Sequence, residues 1–394
     1  MALPDGRMLL NFSSNDYLNL AHHPYVKEQA IRAIEQWGCS ASGSRLMSGT
    51  LAIHEELEAA LARLVGTETA LVFASGFGMN VGLIAALASR DDVVFADRLN
   101  HASLVDGARL SGATVRRYAH NDAEALAKMM ARSDCRGHRL LVCESVFSMD
   151  GDIAPLARLR ELATAHDAAL VVDEAHAIGV FGKGGGVARG LFHANAHGDG
   201  LMPAAIGGLA PAGEGASSAA RSRNDQPLND GRPDLTIGTL GKALGSLGGF
   251  VACSQEMRDL LVNRARSFIY STALPPASCA AALAAVTCIE REPELGARLL
   301  DRAKAFHGML VRRGLRLSPF ETQIIPVPVG DNGLAVEFSR RLAQEGLLVT
   351  AVRPPTVPAG TARLRLSVTL AHEPADLERA ADCIGRMARE VGLL

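Results

Sequence analysis

No sign of charge dominates this sequence: 40 lysines and arginines stand against 42 aspartates and glutamates, a formal net charge of -2. A polyanion or an anionic membrane surface therefore meets no basic field, and a small molecule is the expected ligand. No apolar run reaches the roughly 18 residues that a membrane span needs, and the opening MALPDGRMLLNFSSN lacks the basic-then-apolar order of a signal peptide. A cytoplasmic location is the expectation. The seven cysteines, Cys39, Cys135, Cys143, Cys253, Cys279, Cys288 and Cys383, are odd in number and nowhere spaced C-x-x-C. They read as reduced thiols packed as small hydrophobes, which argues against a metal or redox role. Also missing after the first strand is a G-x-G-x-x-G or G-K-[ST] loop, so nucleotide binding is disfavoured.

What is present is core-forming material. With 394 residues, 48% hydrophobic and 21% charged, the chain can bury a large interior and hold two or three structural units in one body. Apolar runs ending in polar residues (Leu71–Phe73, Val93–Phe95, Leu140–Val142, Leu170–Val172, Leu235–Ile237) alternate with helical patterns. That alternation predicts an α/β fold with a mostly parallel sheet covered on both faces. Helical spacing over His54–Leu64 stops at Gly66, and a second helix, Gly76–Ser89, follows Ser75 as its N-cap. Beyond Pro275-Pro276 the pattern changes to two helices, a strand at Ile324–Val329, a helix at Leu334–Glu345, strands at Leu347–Val352 and Arg363–Val368, and a helix from Glu373. The expected division is an N-terminal segment, 1–50, a large cofactor-binding domain, 51–275, and a smaller α+β domain, 276–394. Residues 198–232, rich in Gly, Ala, Ser and Pro, read as a flexible surface insert.

The chemistry-bearing candidates lie at predicted strand ends, where open α/β sheets bind ligands. Asp173 closes the strand AALVVD, with His176 three residues on. Lys242 is the only charge in TIGTLGKALGSLGGF. A strand-end aspartate can hold a protonated ring nitrogen and a lysine can form a Schiff base with an aldehyde, and pyridoxal 5'-phosphate needs that pair. Ser75-Gly76-Phe77-Gly78, between a strand and a helix, offers backbone N–H groups to a phosphate, and Thr239 a hydroxyl. His101 could lie on the ring face, and Ser148 follows another strand in ESVFSMDGD. Singly, each has a plain structural reading: an N-cap aspartate, a packing turn, a surface histidine, a turn at Asp150-Gly151-Asp152. Together, in order and each at a strand end, they point to a cofactor site.

The segments NFSSNDYLNLAHHP, GSRLMSG, HEELEAALA, ASGFGMN, DRLNHASLVDGARLSGA, ESVFSMDGDIAPL, VVDEAHAIGVFG, GTLGKALGSLGGF, YSTALPP and RPPTVPAGTARLRLSVTLAHE resemble the α-oxoamine synthases. These are pyridoxal-phosphate enzymes of fold type I, the aspartate-aminotransferase class. The resemblance covers nearly the whole chain outside the insert. It implies Lys242 as Schiff-base lysine, Asp173 as partner of the pyridine nitrogen, His176 as donor to the ring hydroxyl and His101 as the residue stacked on the ring and meeting substrate. It further implies Ser148 near the ring hydroxyl, Gly76, Phe77 and Thr239 at the phosphate, and Ser271 or Thr272 reaching the phosphate of a neighbouring subunit in a homodimer. Asn15 and Arg365 would hold the amino-acid carboxylate, and Thr356 would contact the acyl substrate. The ending TAVRPPTVPAGTARLRLSVT, together with HNDAEAL and VGDN, is most similar to the branch that joins L-alanine to pimeloyl-CoA or a pimeloyl-carrier protein. A sister activity using glycine or serine with another acyl-CoA, and a cofactor-binding homologue without catalysis, stay open as alternatives. The resemblance also implies a first segment shorter than the family's, which carries a helix with an acyl-binding arginine, and a milder change at Cys39-Ser40-Ala41-Ser42.

Overall fold

The five apolar runs all become strands of one seven-stranded sheet. The structure, a computed structural model, describes residue 6 and residues 8–197 and 231–394; the expected insert at 198–232 lies, up to residue 230, outside the described residues. The strands are β1 (Leu10–Asn11), β2 (Thr69–Phe73), β3 (Val93–Asp97), β4 (Thr114–Tyr118), β5 (Arg139–Glu144), β6 (Ala168–Asp173), β7 (Leu235–Thr239), β8 (Gly249–Cys253), β9 (Ile324–Gly330), β10 (Leu347–Leu348), β11 (Thr350–Val352) and β12 (Ala362–Ser367). The large sheet runs β2-β8-β7-β6-β5-β3-β4, with only β8 antiparallel to its neighbours. Along the central strands alternate side chains enter two separate cores. Val94, Leu140, Val142, Val171 and Ile237 pack under the helices Gly76–Leu87 and Ala102–Leu110. Phe95, Leu141, Cys143, Leu170 and Val172 pack on the opposite face with the helices Ala52–Val65 and Leu156–Ala165. Burial on both faces is why these strands read as continuous apolar runs.

Two strands of this sheet are absent from the apolar-run pattern. β4 (TVRRY) is an edge strand exposed apart from Tyr118 and half-buried Val115, and its arginines suit an edge that must not pair further. β8 opens on the second glycine of the pair Gly248-Gly249 and returns antiparallel to β7 through the loop 240–248. In that loop Gly245 has φ +60°, and a Cβ there would lie 2.3 Å from the backbone nitrogen of Ala21. Only glycine lets the Lys242 loop approach the N-terminal segment so closely.

The three-stranded sheet β11-β12-β9 is antiparallel. The segment Leu347–Val352, expected as one strand, is two: β10 pairs in parallel with β1, and β11 pairs with β12. That division ties the N-terminal NFSSNDYL segment to the sheet carrying Arg365. The helix Pro276–Arg291 packs on the helices Pro24–Trp37 and Ala52–Val65. Among the described residues no helix is long and apolar enough to cross a membrane.

The loop after β5 is fastened to the far edge of the large sheet by His120 and Asn121, whose Nδ2 donates to Asp152 Oδ2 at 2.8 Å and whose backbone N–H donates to Asp97 Oδ2 at 2.9 Å. His120 Nδ1 lies 3.0 Å from Asp97 Oδ1 and its Nε2 lies 2.8 Å from Asp152 Oδ2. Both ring nitrogens face carboxylates, so both carry protons. Burial works against that charge, but the hydrogen bonds to Asp152 and Asp97 raise the pKa to about 10. A folded pKa above the unfolded value near ~6.5 stabilises the fold fully below that value, and the stabilisation is lost as pH rises toward 10. Thermal melts of the wild type should therefore fall between about pH 7 and 10 more steeply than those of His120→Gln; parallel slopes would show that the clamp carries no charge.

Candidate active site

Four strands of the large sheet end in polar residues at the same edge: β3 at Asp97, β5 at Glu144, β6 at Asp173 and β7 at Thr239. This is the carboxyl edge, where side chains and helix N-termini converge. Lys242 enters from the β7–β8 loop, and His101 caps the helix Ala102–Leu110. Together with Gly76, Phe77, Asn80 and Asp173 they line a cavity of about 170 Å³.

Lys242 Nζ lies 2.7 Å from His176 Nε2, and the Tyr17 hydroxyl lies 2.7 Å from His176 Nδ1. Desolvation, together with the Lys242, Arg365 and His101 charges, holds the His176 pKa well below the ordinary histidine value, so the ring is neutral. Burial lowers the Lys242 pKa to about 8, against the opposing pull of Asp173 and Glu144. Asp173 is buried and accepts two hydrogen bonds, from Asn80 Nδ2 at 3.0 Å and from the Ala175 backbone N–H at 2.9 Å. Glu144 pairs with Asp173 in strand register and accepts the His101 N–H at 2.5 Å. Burial first, then the Asp173 charge, push its pKa up to about 8. Burial also lowers the pKa of His101, whose Nδ1 lies 2.7 Å from Ser103 Oγ.

Gly76 and Phe77 open the helix Gly76–Leu87, where the first backbone N–H groups have no acceptor within the helix. Ser75 caps it by accepting from the Gly78 N–H at 3.0 Å. Thr239 Oγ1 lies beside the first helical residue, 3.4 Å from the position a Gly76 Cβ would take. A Cβ on Gly249 would fall 2.6 Å from Gly76 Cα, so the strand can pass this helix start only as glycine.

The other candidates gather around Arg365, a buried residue in the central strand β12. Its Nη2 donates to Asn15 Oδ1 at 3.3 Å and to the Tyr17 hydroxyl at 3.4 Å, while its Nε donates to the Ser148 carbonyl at 2.6 Å. Arg365, Thr356, Ser13 and Met149 line a neighbouring cavity of about 470 Å³. Ser148 thus meets Arg365 through its backbone and does not line the Lys242 cavity. Thr272 forms an isolated bridge with Ser44, and neither it nor Ser271 lines these two cavities.

Sequence reasoning missed Tyr17 and Asn80 and passed over Glu144 within its motif. Asn80 is a buried amide in the otherwise apolar helix GFGMNVGLIAAL, which is a signal in itself. Glu144 ends its strand as Asp173 ends the next.

The donor set fits pyridoxal phosphate. The Asp173 carboxylate, with one donor on each oxygen, stands at a strand end in the same cavity as Lys242, where a charged hydrogen bond to a pyridinium can form. Free helix-start N–H groups suit a phosphate, and Asn80 Oδ1 is buried without a hydrogen-bond partner.

Comparison with known proteins agrees with this geometry. The sequence profile described as aminotransferase class I and II matches residues 7–384. A protein of Pelobacter propionicus named 8-amino-7-oxononanoate synthase is 45% identical over 392 residues, covering 99% of this chain and 91% of its own length. One of the same name from Methylocella silvestris is 43% identical, covering 97% of both. Among solved structures, serine palmitoyltransferase of S. paucimobilis with a bound PLP-myriocin aldimine superposes with a TM-score of 0.86 at 31% identity, covering 99% of this chain and 89% of that one. An 8-amino-7-oxononanoate synthase of Francisella tularensis does so with a TM-score of 0.73 at 25% identity, covering 97% and 98%.

Proposed function

The chain belongs to the class I and II aminotransferase family, and on that footing we propose that it condenses L-alanine with a pimeloyl thioester, on coenzyme A or a carrier protein, to give 8-amino-7-oxononanoate. Carbon dioxide and the free thiol leave. The observation that carries this reading is Lys242 in a cavity it shares with Asp173 and beside His176, in a chain whose full-length relatives bear that enzyme's name. A cytoplasmic homodimer is part of the same reading.

Pyridoxal phosphate, when bound, supplies an aldehyde that takes up an amine and a pyridinium that draws in the electrons left when a bond to Cα breaks. Gly76, Phe77 and Thr239 would hold its phosphate, Asp173 its ring nitrogen, His176 its ring hydroxyl, and Lys242 would be the amine that anchors it. The Arg365 guanidinium, with Asn15, takes the alanine carboxylate as a planar fork suits it. The Lys242 amine would remove the α-proton; its lowered pKa leaves a useful share of neutral amine near neutral pH. His101, which lines the Lys242 cavity, would polarise the carbonyl of the acyl group as the Cα–acyl bond forms and the thiolate departs. With the carboxylate lost as carbon dioxide, Lys242 returns the proton to Cα. Thr356, beside Arg365, contacts the acyl chain.

Purified protein mixed with pyridoxal phosphate, L-alanine and pimeloyl-CoA should give 8-amino-7-oxononanoate by mass, with release of one thiol per product. Glycine or serine with other acyl-CoAs should react far more slowly. Faster product formation in either of those arms would assign the chain to a sister activity, and cofactor binding without thiol release in any arm would overturn catalysis itself.

A further inference from the structure

We propose that Asn80 is a positioning residue that holds the Asp173 carboxylate aimed at the ring nitrogen of the cofactor; this rests on the reading of the cavity as a pyridoxal-phosphate site. Asn80 is 4% exposed. Its amide nitrogen donates to Asp173 Oδ2 at 3.0 Å and lies 3.0 Å from Ser103 Oγ. The other Asp173 oxygen is taken by the Ala175 backbone N–H at 2.9 Å. One donor on each oxygen fixes the plane of the carboxylate.

The placement follows from the helix. Asn80 lies four residues after Gly76 on the helix Gly76–Leu87, so the two share a face about 6 Å apart along the axis. A single rigid element therefore carries the helix-start N–H groups for a phosphate and the donor that holds the carboxylate. An apolar residue at position 80 would leave Asp173 buried beside Glu144 with its backbone donor alone. A carboxylate held on one oxygen alone is free to turn from the ring, and the charge-assisted bond that stabilises a pyridinium is lost with that aim.

The test reads the ring nitrogen directly. Holoenzyme loaded with pyridoxal phosphate carrying nitrogen-15 in the ring is titrated by NMR between about pH 6 and 9, the range in which a weakened site would titrate. Wild type should hold a pyridinium signal throughout, and Asp173→Asn should show a neutral pyridine. Asn80→Leu should release the proton within the range, its acid constant raised at least about tenfold, while Ser103→Ala should keep the wild-type signal. Asn80→Ser, which keeps a hydroxyl at the position, should fall between, and it carries the comparison if the leucine variant does not fold. Wild-type signals from both Asn80 variants would overturn the proposal, as would a shift in Ser103→Ala equal to theirs, because Asn80 would then act through Ser103 and His101. If wild type fails to take up the labelled cofactor, the reading of the cavity falls instead.

Discussion

Lys242→Ala is expected to lower turnover at least about 10³-fold while the protein folds and retains its thermal stability. The amine serves two ends, anchoring the aldehyde and carrying the α-proton, and no other described amine lines the cavity. A chemical readout in the cofactor-free protein isolates the lysine itself. Burial holds its pKa to about 8, below the ~10.4 of an exposed lysine, so it becomes nucleophilic at lower pH than surface amines. Acylation by an amine reagent, followed by peptide mass, should reach half its limiting rate near pH 8 at Lys242 and some two units higher at surface lysines. Asp173 and Glu144 oppose that depression. Removing either negative charge should move the half-point lower still. An Lys242→Ala enzyme at parental rate would refute the assignment, and a half-point equal to that of surface lysines would refute the desolvated environment.

The parts of this molecule legible in the sequence are those encoded over short stretches. Strand ends show because an apolar run stops at a polar residue: Asp173 and Thr239 sit at the last positions of β6 and β7. The helix start at Gly76 shows because Ser75 caps it. What stayed hidden depends on partners distant along the chain. Tyr17 reaches His176 across 159 residues and Asn80 reaches Asp173 across 93, and no local periodicity records either pairing. A lone asparagine in the apolar helix GFGMNVGLIAAL signals a buried amide, but its partner becomes visible only when the strands close over it. β4 and β8 were hidden for opposite reasons, one because an exposed edge is written in charge and the other because a glycine-led strand carries a weak β signature. The division of Leu347–Val352 was hidden because it is imposed by β1, more than three hundred residues away.

The two carboxylates beside Lys242 should respond differently to removal of their charge, and the difference identifies the one that serves the ring. Asp173 accepts from two donors, Asn80 and the Ala175 N–H. Glu144 has the His101 N–H, and burial with the Asp173 charge pushes its pKa up to about 8. Burial thus favours the neutral acid at Glu144 near neutral pH, a form that glutamine imitates. Glu144→Gln should therefore stay within roughly tenfold of wild type at pH 7, and it should depart further only as pH rises through about 8, where Glu144 itself ionises. The direction is set by Lys242: an ionised Glu144 raises the lysine pKa, so the variant should show more neutral amine than wild type above that pH. Asp173→Asn removes the charge a pyridinium needs at every pH, and its turnover should fall at least roughly 10²-fold without recovery across the profile. Rates measured from about pH 6 to 9.5 on both variants decide the matter. Equal losses at pH 7 would mean that Glu144 carries charge there and shares the ring's counter-ion role. A Glu144→Gln enzyme crippled at low pH and intact at high pH would reverse the assignment, because the neutral acid at Glu144 would then be doing work that its anion does not.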